Sequence, residues 1–470
     1  MKLALVSLER NEPDPPLGLA YIASYLRKYG NFDNTVIVDK EDQMKRLRRE
    51  KPDVIGIGSM TYEFPQAKIL AEQIKKEFDV PLIIGGNHIT LMTHHLQPSA
   101  FDIAVIGEGE QTMFELAQLF ERKGSFEPEC LKKIKGIVFK DGNNIIQTEK
   151  RQLIENLDTI PFPARDLLKM KEYYTTLRRD CFGKFGVYIH MLTSRGCPYN
   201  CAFCSTSVFW QQARFHSAQY VVNEIKELVE KYNVDGIHIW DDLFIARKDR
   251  VKEIAELLKK EGLKDLEFHV FARANLINED ICNYMKNMNV AVTEFGLESG
   301  SERILKYLKK GNVTVEQNRS ALAMCKKFGF NTLGDIIIGS PDETEEDLKQ
   351  SLSLVQDKNL DEARVFHLTP YPRTEVWEYA KQKGFVSDSS EFDLRKLNLG
   401  GFKEDMVLSE NISPQKLKEW YDIFREAVKK KNGSENIMFY MKNLKAKHIK
   451  YLFTKRFAEK IIGKRSVPKV

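Results

Sequence analysis

Three cysteines, Cys197, Cys201 and Cys204, fall within eight residues in the run SRGCPYNCAFCS, at spacing C-x3-C-x2-C. Closed zinc sites and complete iron–sulfur sites take four protein ligands. Three ligands leave two readings. A distant residue completes a zinc knuckle, or one iron of a cluster stays open and binds a substrate or cofactor directly. Cys130, Cys181, Cys282 and Cys325 are scattered and read as ordinary core or surface residues. Seven cysteines in 470 residues do not make a secreted disulfide framework. A reducing, oxygen-poor cytoplasm suits an exposed cluster.

Something must hold that loop. From Val187 apolar runs alternate with helical patterns: YIHMLTS (188–194), GIHIWDD (236–242), EFHVFARA (267–274), VTEFGLES (292–299), TLGDIIIG (332–339) and RVFHLTPYP (364–372). Six βα units predict a barrel-type sheet over 187–400, with its active site at the carboxyl ends of the strands. The polar residues lie there. The second strand ends in Asp241-Asp242, carboxylates that accept hydrogen bonds from a cationic amine. The third ends in Arg273, whose fork suits a carboxylate. The fourth ends in Glu298-Ser299-Gly300-Ser301, and Ser301 also suits a helix cap.

Residues 1–140 carry a second βα repeat: KLALVSL, TVIVD, VIGIGSM, LIIGG and IAVIGEG. Continuous apolar runs suit strands buried on both faces of a parallel sheet. The expectation is an open doubly wound, Rossmann-like α/β domain that binds its ligand beyond the carboxyl edge. That edge carries Ser59-Met60-Thr61, Gly85-Gly86 with His88, and Gly107-Glu108-Gly109. Residues 141–186 read as a linker. Its Asp141-Gly142-Asn143 turn closes a small hairpin, and 169–186 reads as surface or as a loop over the site.

With Phe203 before the last cysteine, the triplet resembles that of the radical S-adenosylmethionine (radical SAM) superfamily. PPLGLAYIASYL, VIGIGSM, IIGGNH and VIGEGE resemble the cobalamin-binding domain found ahead of some radical SAM barrels. Together the likeness spans roughly 1–400. It implies a 4Fe–4S cluster on Cys197, Cys201 and Cys204 and a partial (β/α)6 barrel. It implies SAM contacts from Phe203, Asp241 or Asp242, Arg273, Glu298, Ser299, Ile337 and Gly339. It implies cobalamin contacts from Ser59, Met60, Thr61, Gly85, Gly86, His88, Gly107, Glu108 and Gly109. The superfamily form Gly-x-Ile-x-Gly-x-x-Glu is met at Ile337 and Gly339, with Asp335 and Asp342 replacing its first Gly and its Glu. The Asp-x-His-x-x-Gly motif that ligates cobalt from below is missing, so base-off cobalamin without a histidine lower ligand is expected. The chemistry implied is reductive cleavage of SAM to methionine and a 5′-deoxyadenosyl radical, hydrogen abstraction, and methylation of an unactivated carbon from methylcobalamin. A low-potential donor of flavodoxin or ferredoxin type would supply the electron.

Two other readings stand beside methylation. The same cofactors serve cyclisation or oxidation in the anaerobic porphyrin cyclases, and a cobalamin sensor would use the cluster structurally. A methylthiotransferase is disfavoured, since the first domain lacks a second cysteine trio. The substrate is unnamed by the sequence; Tyr199, His238 and His367 are candidates to touch it or to serve the fold.

Net charge is +5, but residues 431–470 carry eleven Lys/Arg against Glu435 and Glu459, +9, leaving 5 − 9 = −4 for the rest. Such a body lacks the sequence signature of a basic nucleic-acid groove, and no nucleic-acid partner is expected. A helix is expected over 413–432 in a helical extension, 401–470. Beyond it Ile437, Met441, Leu444, His448, Tyr451, Leu452 and Phe453 recur at helical spacing among lysines. That stretch suits packing on the barrel with a solvated basic face, or peripheral contact with an anionic membrane and a lipid substrate. No run reaches the roughly 20 apolar residues of a membrane span.

Overall fold

The computed structural model describes residues 1–8, 14–173, 187–210, 212–397 and 401–443, the last ten as backbone only. Cys181, most of the expected 169–186 loop, and the expected helix beyond Asn443 lie outside the described residues.

Strands β1 (Leu3–Ser7), β2 (Val36–Val38), β3 (Val54–Gly58), β4 (Leu82–Gly85), β5 (Ile103–Val105), β6 (Ile137–Asp141) and β7 (Asn144–Gln147) form one sheet in the order β2-β1-β3-β4-β5-β6-β7. Pairing is parallel through β5 and antiparallel in the β6–β7 hairpin. The boundary expected at 140 therefore falls inside a hairpin that the sheet keeps. Alternate residues of β1 feed opposite faces. Leu3 and Leu5 meet Ala20, Leu26 and Leu116 from helices Leu17–Gly30 and Gly109–Lys123. Ala4 and Val6 meet Phe64, Leu70 and Ile74 from helix Phe64–Glu77. Both faces are covered, as the continuous apolar runs require, and strand order reverses at β1 and β3, where such sheets bind ligands.

The second sheet has six strands, all parallel and in chain order: Tyr188–Met191, Gly236–Ile239, Glu267–Ala272, Val290–Glu298, Asn331–Ile338 and Glu362–His367. The first and sixth do not pair, so the barrel is partial and open. Ile189, Ile237, Phe268 and their alternates pack outward on the helices. His190, His238 and His269 stand side by side in register between them. Helix Pro414–Asn443, longer than the expected 413–432, buries Leu417 and Phe424 against the barrel. Asn432 caps the open edge: its side-chain amide donates to and accepts from the Ala363 backbone, both at 3.0 Å.

Candidate active site between two sheet edges

The loop with Cys197, Cys201 and Cys204 leaves the first barrel strand through the short strand Ser194–Arg195 and returns through Arg214–Phe215, with which it pairs antiparallel. Gly196 sits at its neck with φ +88°; a Cβ there would lie 2.4 Å from the Gln212 carbonyl oxygen, so the two ends meet only because residue 196 is glycine. In the middle, the Ala202 N–H donates to Leu308 and its carbonyl accepts from Val376. Burial pushes the Cys197 thiol up to about 11, and Cys204 upward too. These sulfurs need a cationic centre to hold them as thiolates. Among the described residues only His238, His269 and Glu294 bring three ligand atoms within 4.8 Å of one another.

Arg273 lies against this loop. Its guanidinium is 3.8 Å above the Tyr199 ring, and Nη1 donates to Cys201 Sγ at 3.4 Å. Asn275 steadies it, accepting from Arg273 Nε and donating to the Tyr199 hydroxyl. Its Nη2 is buried without a hydrogen-bond partner, one prong of a fork left for an anionic group.

The Asp241-Asp242 pair separates cleanly. Asp241, 1% exposed, accepts from Thr193 N–H at 2.5 Å, Thr193 Oγ1 at 2.5 Å and Ser194 N–H at 3.0 Å. It pins the loop's entry, one oxygen taking two backbone N–H groups and the other the Thr193 hydroxyl. Asp242 accepts from Gly196 N–H and Thr206 Oγ1 and lines the cleft between the domains. It keeps solvent contact there, yet crowding by protein strips enough hydration to raise its pKa, against the lowering effect of Thr206.

Other expected contacts are placed less simply. Glu298, at φ +62°, is held 2.8 Å from Lys309. Ser299 is buried on Ser351, and Ser301 gives its hydroxyl to Asp347 rather than capping its own helix. Phe203 packs with Ile337 and Ala202 in one apolar cluster. Gly339, φ +92°, lets His367 approach: a Cβ would lie 2.6 Å from the imidazole Cδ2. The carboxylate that holds this turn is Glu343, which accepts from the Gly339 and Ser340 N–H groups and stands one residue beyond Asp342, the residue at the motif's Glu position. Desolvation pushes the Glu343 carboxyl up to about 8.

Across from the barrel mouth, the first sheet's edge bounds a cleft of about 400 Å³. Ser59, Met60, Gly85, Gly86, Gly107, Glu108 and Gly109 line it. Thr61 and His88 do not. His88 is fully buried, 3.0 Å from His95 Nδ1 and packed on Phe64, and burial drops its pKa to about 3. The expected His88 contact with cobalamin is not met in this arrangement, because the ring serves the helix-side core. Gly86, φ +109°, is obligatory: a Cβ would lie 2.3 Å from the Ser59 carbonyl oxygen.

The barrel contributes cleft residues that sequence reasoning missed: His190, Trp210 and Trp240. Below them, His190, His238 and Trp240 cluster, Trp240 Nε1 donates to His238 Nδ1, and His238 stacks on His269 at 3.9 Å. Glu294 links His269 to Arg364, which also holds Asp335. The signal was available: each of the first three strands has histidine third, in YIHM, GIHI and EFHV. His238 and His269 lie 7° from parallel, His190 is tilted 43° to His238, and Glu294 stands 2.9 Å from His269, so the three histidines form a polar layer of the lumen with a carboxylate at its edge.

Comparison with known proteins places the two domains in known families. Residues 191–355 match the radical SAM superfamily model and residues 5–117 the B12-binding domain model. The chain is 36% identical over 377 residues to an uncharacterized methyltransferase of Pyrococcus horikoshii, covering 78% of each. It is 26% identical over 395 residues to the anaerobic magnesium-protoporphyrin IX monomethyl ester cyclase of Cereibacter sphaeroides, covering 81% of this chain and 62% of that one. The solved structure of the radical SAM methyltransferase TsrM from Kitasatospora setae, with cobalamin and a 4Fe–4S cluster bound, superposes at TM-score 0.67 with 18% identity, over 82% of this chain and 76% of that one. Barrel, sheet and cysteine loop together make this chain an enzyme of the cobalamin-dependent radical SAM family.

Proposed function

We propose that this chain methylates an unactivated carbon, holding a 4Fe–4S cluster on Cys197, Cys201 and Cys204, SAM at the barrel mouth and cobalamin in the cleft. The observation that carries the reading is that Arg195, Phe209 and Trp210, on the strand and loop that carry the cysteines, face the glycine-built edge of the first sheet across one cleft. When bound, these groups supply one-electron cleavage of SAM and a transferable methyl group. The chain's own work is placement. Arg273 offers Nη2 to the SAM carboxylate, and Asp242 offers its carboxylate to the SAM amino group. Ile337 and Gly339 form the adenine side, with Glu343 holding their turn. Trp210, Trp240 and His190 wall the cleft and keep water from the reacting atoms.

Base-off cobalamin without a histidine lower ligand is supported by the first domain: among the described residues, none of its histidines lines the cleft. A nitrogen superhyperfine pattern from protein histidine in the cob(II)alamin EPR spectrum would overturn this part.

The test is anaerobic. The cluster is reconstituted, hydroxocobalamin, SAM and a low-potential reductant are added, and 5′-deoxyadenosine and S-adenosylhomocysteine are measured by mass spectrometry. Both products are expected, and both disappear in Cys201→Ala. 5′-Deoxyadenosine alone, retained with substrate present, would favour radical cyclisation or oxidation, the reading that the cyclase relative suggests.

A further inference from the structure

Four charged side chains are buried where the two domains meet. Arg195 Nη1 is 2.5 Å from Glu108 Oε1, and Arg195 Nη2 is 2.5 Å from Glu110 Oε1. Arg214 Nη1 reaches both Glu108 oxygens, at 3.1 and 2.9 Å, and the Ile154 carbonyl at 2.6 Å. Glu108 Oε2 also accepts from the Ile154 N–H at 2.7 Å. None of the four side chains is more than 9% exposed, and two cations balance two anions. Their places in the fold matter more than their sum. Arg195 and Arg214 are paired residues on the two short strands that bracket the cysteine loop. Glu108 sits between Gly107 and Gly109 on the lip of the first sheet that lines the cleft. One carboxylate thus grips both ends of the cysteine loop. Trp210, on that loop and on the cleft wall, lies 5.7 Å from the Arg195 guanidinium and 5.5 Å from that of Arg214.

We propose that Glu108 is a positioning residue: with Arg195 and Arg214 it locks the cysteine loop to the lip of the cobalamin-binding domain and so sets the spacing between cluster and cobalamin. This rests on the cofactor assignment above. Buried charge-assisted hydrogen bonds in a dry site are short and directional, so they transmit position rather than merely attract. A group gripped from both ends of a loop also resists rotation, which one ion pair does not. The expected contact of Glu108 with cobalamin is replaced by this role, because both its oxygens are already taken.

The test compares wild type, Glu108→Ala and Arg214→Lys after loading with cluster and cobalamin. Arg214→Lys keeps the charge balance but replaces Nη1, the single nitrogen that makes all three contacts, with an ammonium on a differently shaped stem that cannot hold the same position. Iron and cobalt content are measured first; a wild-type protein that fails to take up both metals overturns the cofactor assignment itself. Pulsed EPR then reads the dipolar coupling between the reduced cluster and cob(II)alamin, with melting temperature recorded on the same samples. Wild type is expected to give one resolved coupling. Arg214→Lys, still loaded with both, is expected to lose it to a spread of couplings, as is Glu108→Ala. An unchanged single coupling in loaded Arg214→Lys overturns the proposal, including the case where only the melting temperature falls, which would mark a merely structural clasp.

Discussion

Along the carboxyl edge of the first sheet the chain turns on Gly58, Gly85-Gly86 and Gly107, while the facing barrel mouth is crowded with Asp241, Asp242, Arg273, Glu298 and Glu343. The first edge presents backbone to the cleft, and its few side chains there are spent on neighbours, as Glu108 is on two arginines. The second presents side chains, each held by others. Bare backbone gives a large ligand a smooth surface at close range, with no rotamers to order. Fixed side chains give a small charged ligand directional bonds. The two edges therefore suit ligands of different size and polarity, and they should fail in different ways.

The sharpest break is Gly86→Val. A Cβ 2.3 Å from a backbone oxygen, at φ +109°, has no flexible neighbour to yield. The lip must move, at a cost on the order of 3 kcal/mol or more. Cobalamin retained after desalting is expected to fall at least about tenfold, while cluster iron stays at wild-type level. Loss of both would deny that the edges are separable.

Next comes Asp241→Asn on the opposite edge. Asp241 takes three donors, and asparagine would turn its amide NH2 toward one of them. A loss of about 3 kcal/mol in urea unfolding is expected. Asp242→Asn should leave stability within about 0.5 kcal/mol and weaken SAM retention instead. Equal losses from the two would erase the distinction drawn between them.

Glu343 gives the barrel mouth a pH signature. Its carboxyl rises from the usual 4.5 to about 8 through burial. The folded state therefore keeps a proton that the unfolded chain releases, so the contribution is fully present below pH 4.5 and fades as pH climbs toward 8. Glu343→Gln keeps an acceptor for the Gly339 and Ser340 N–H groups without the charge. The gap between variant and wild type should open in the variant's favour from pH 5 to pH 8, by on the order of 3 to 4 kcal/mol. A parallel pair of stability curves would show that the carboxylate is solvated.

How much of this the sequence disclosed follows from distance along the chain. The cysteine triplet, the βα repeats and the glycine lips are local patterns, and they stand where expected. Choosing Asp241 or Asp242 required the direction of one strand end. Choosing Glu343 over Asp342 required a turn whose register is off by a single residue. The partners of Glu108 lie 87 and 106 residues away, beyond any local pattern. Of the lumen histidines the sequence offers His238 as a candidate; the same alternation in three consecutive strands marks His190 and His269 as inward, but a lone histidine in an apolar run reads as core.

The smallest expected effect tests the backbone half of the comparison most directly. Ser59 lines the cleft, and its hydroxyl is the obvious side chain there to touch a ligand. Yet Oγ donates to the adjacent Met60 carbonyl at 3.0 Å, and the Ser59 N–H is already paired with Gly85. If the edge works through backbone, Ser59→Ala removes one local hydrogen bond worth about 1 kcal/mol or less and leaves the surface shape unchanged. Cobalamin affinity, read by equilibrium dialysis, should stay within about twofold, well under the 1.4 kcal/mol that a tenfold change requires. A tenfold loss would mean that the hydroxyl turns from Met60 to the ligand. The first edge would then hold its ligand by side chains, as the barrel mouth does.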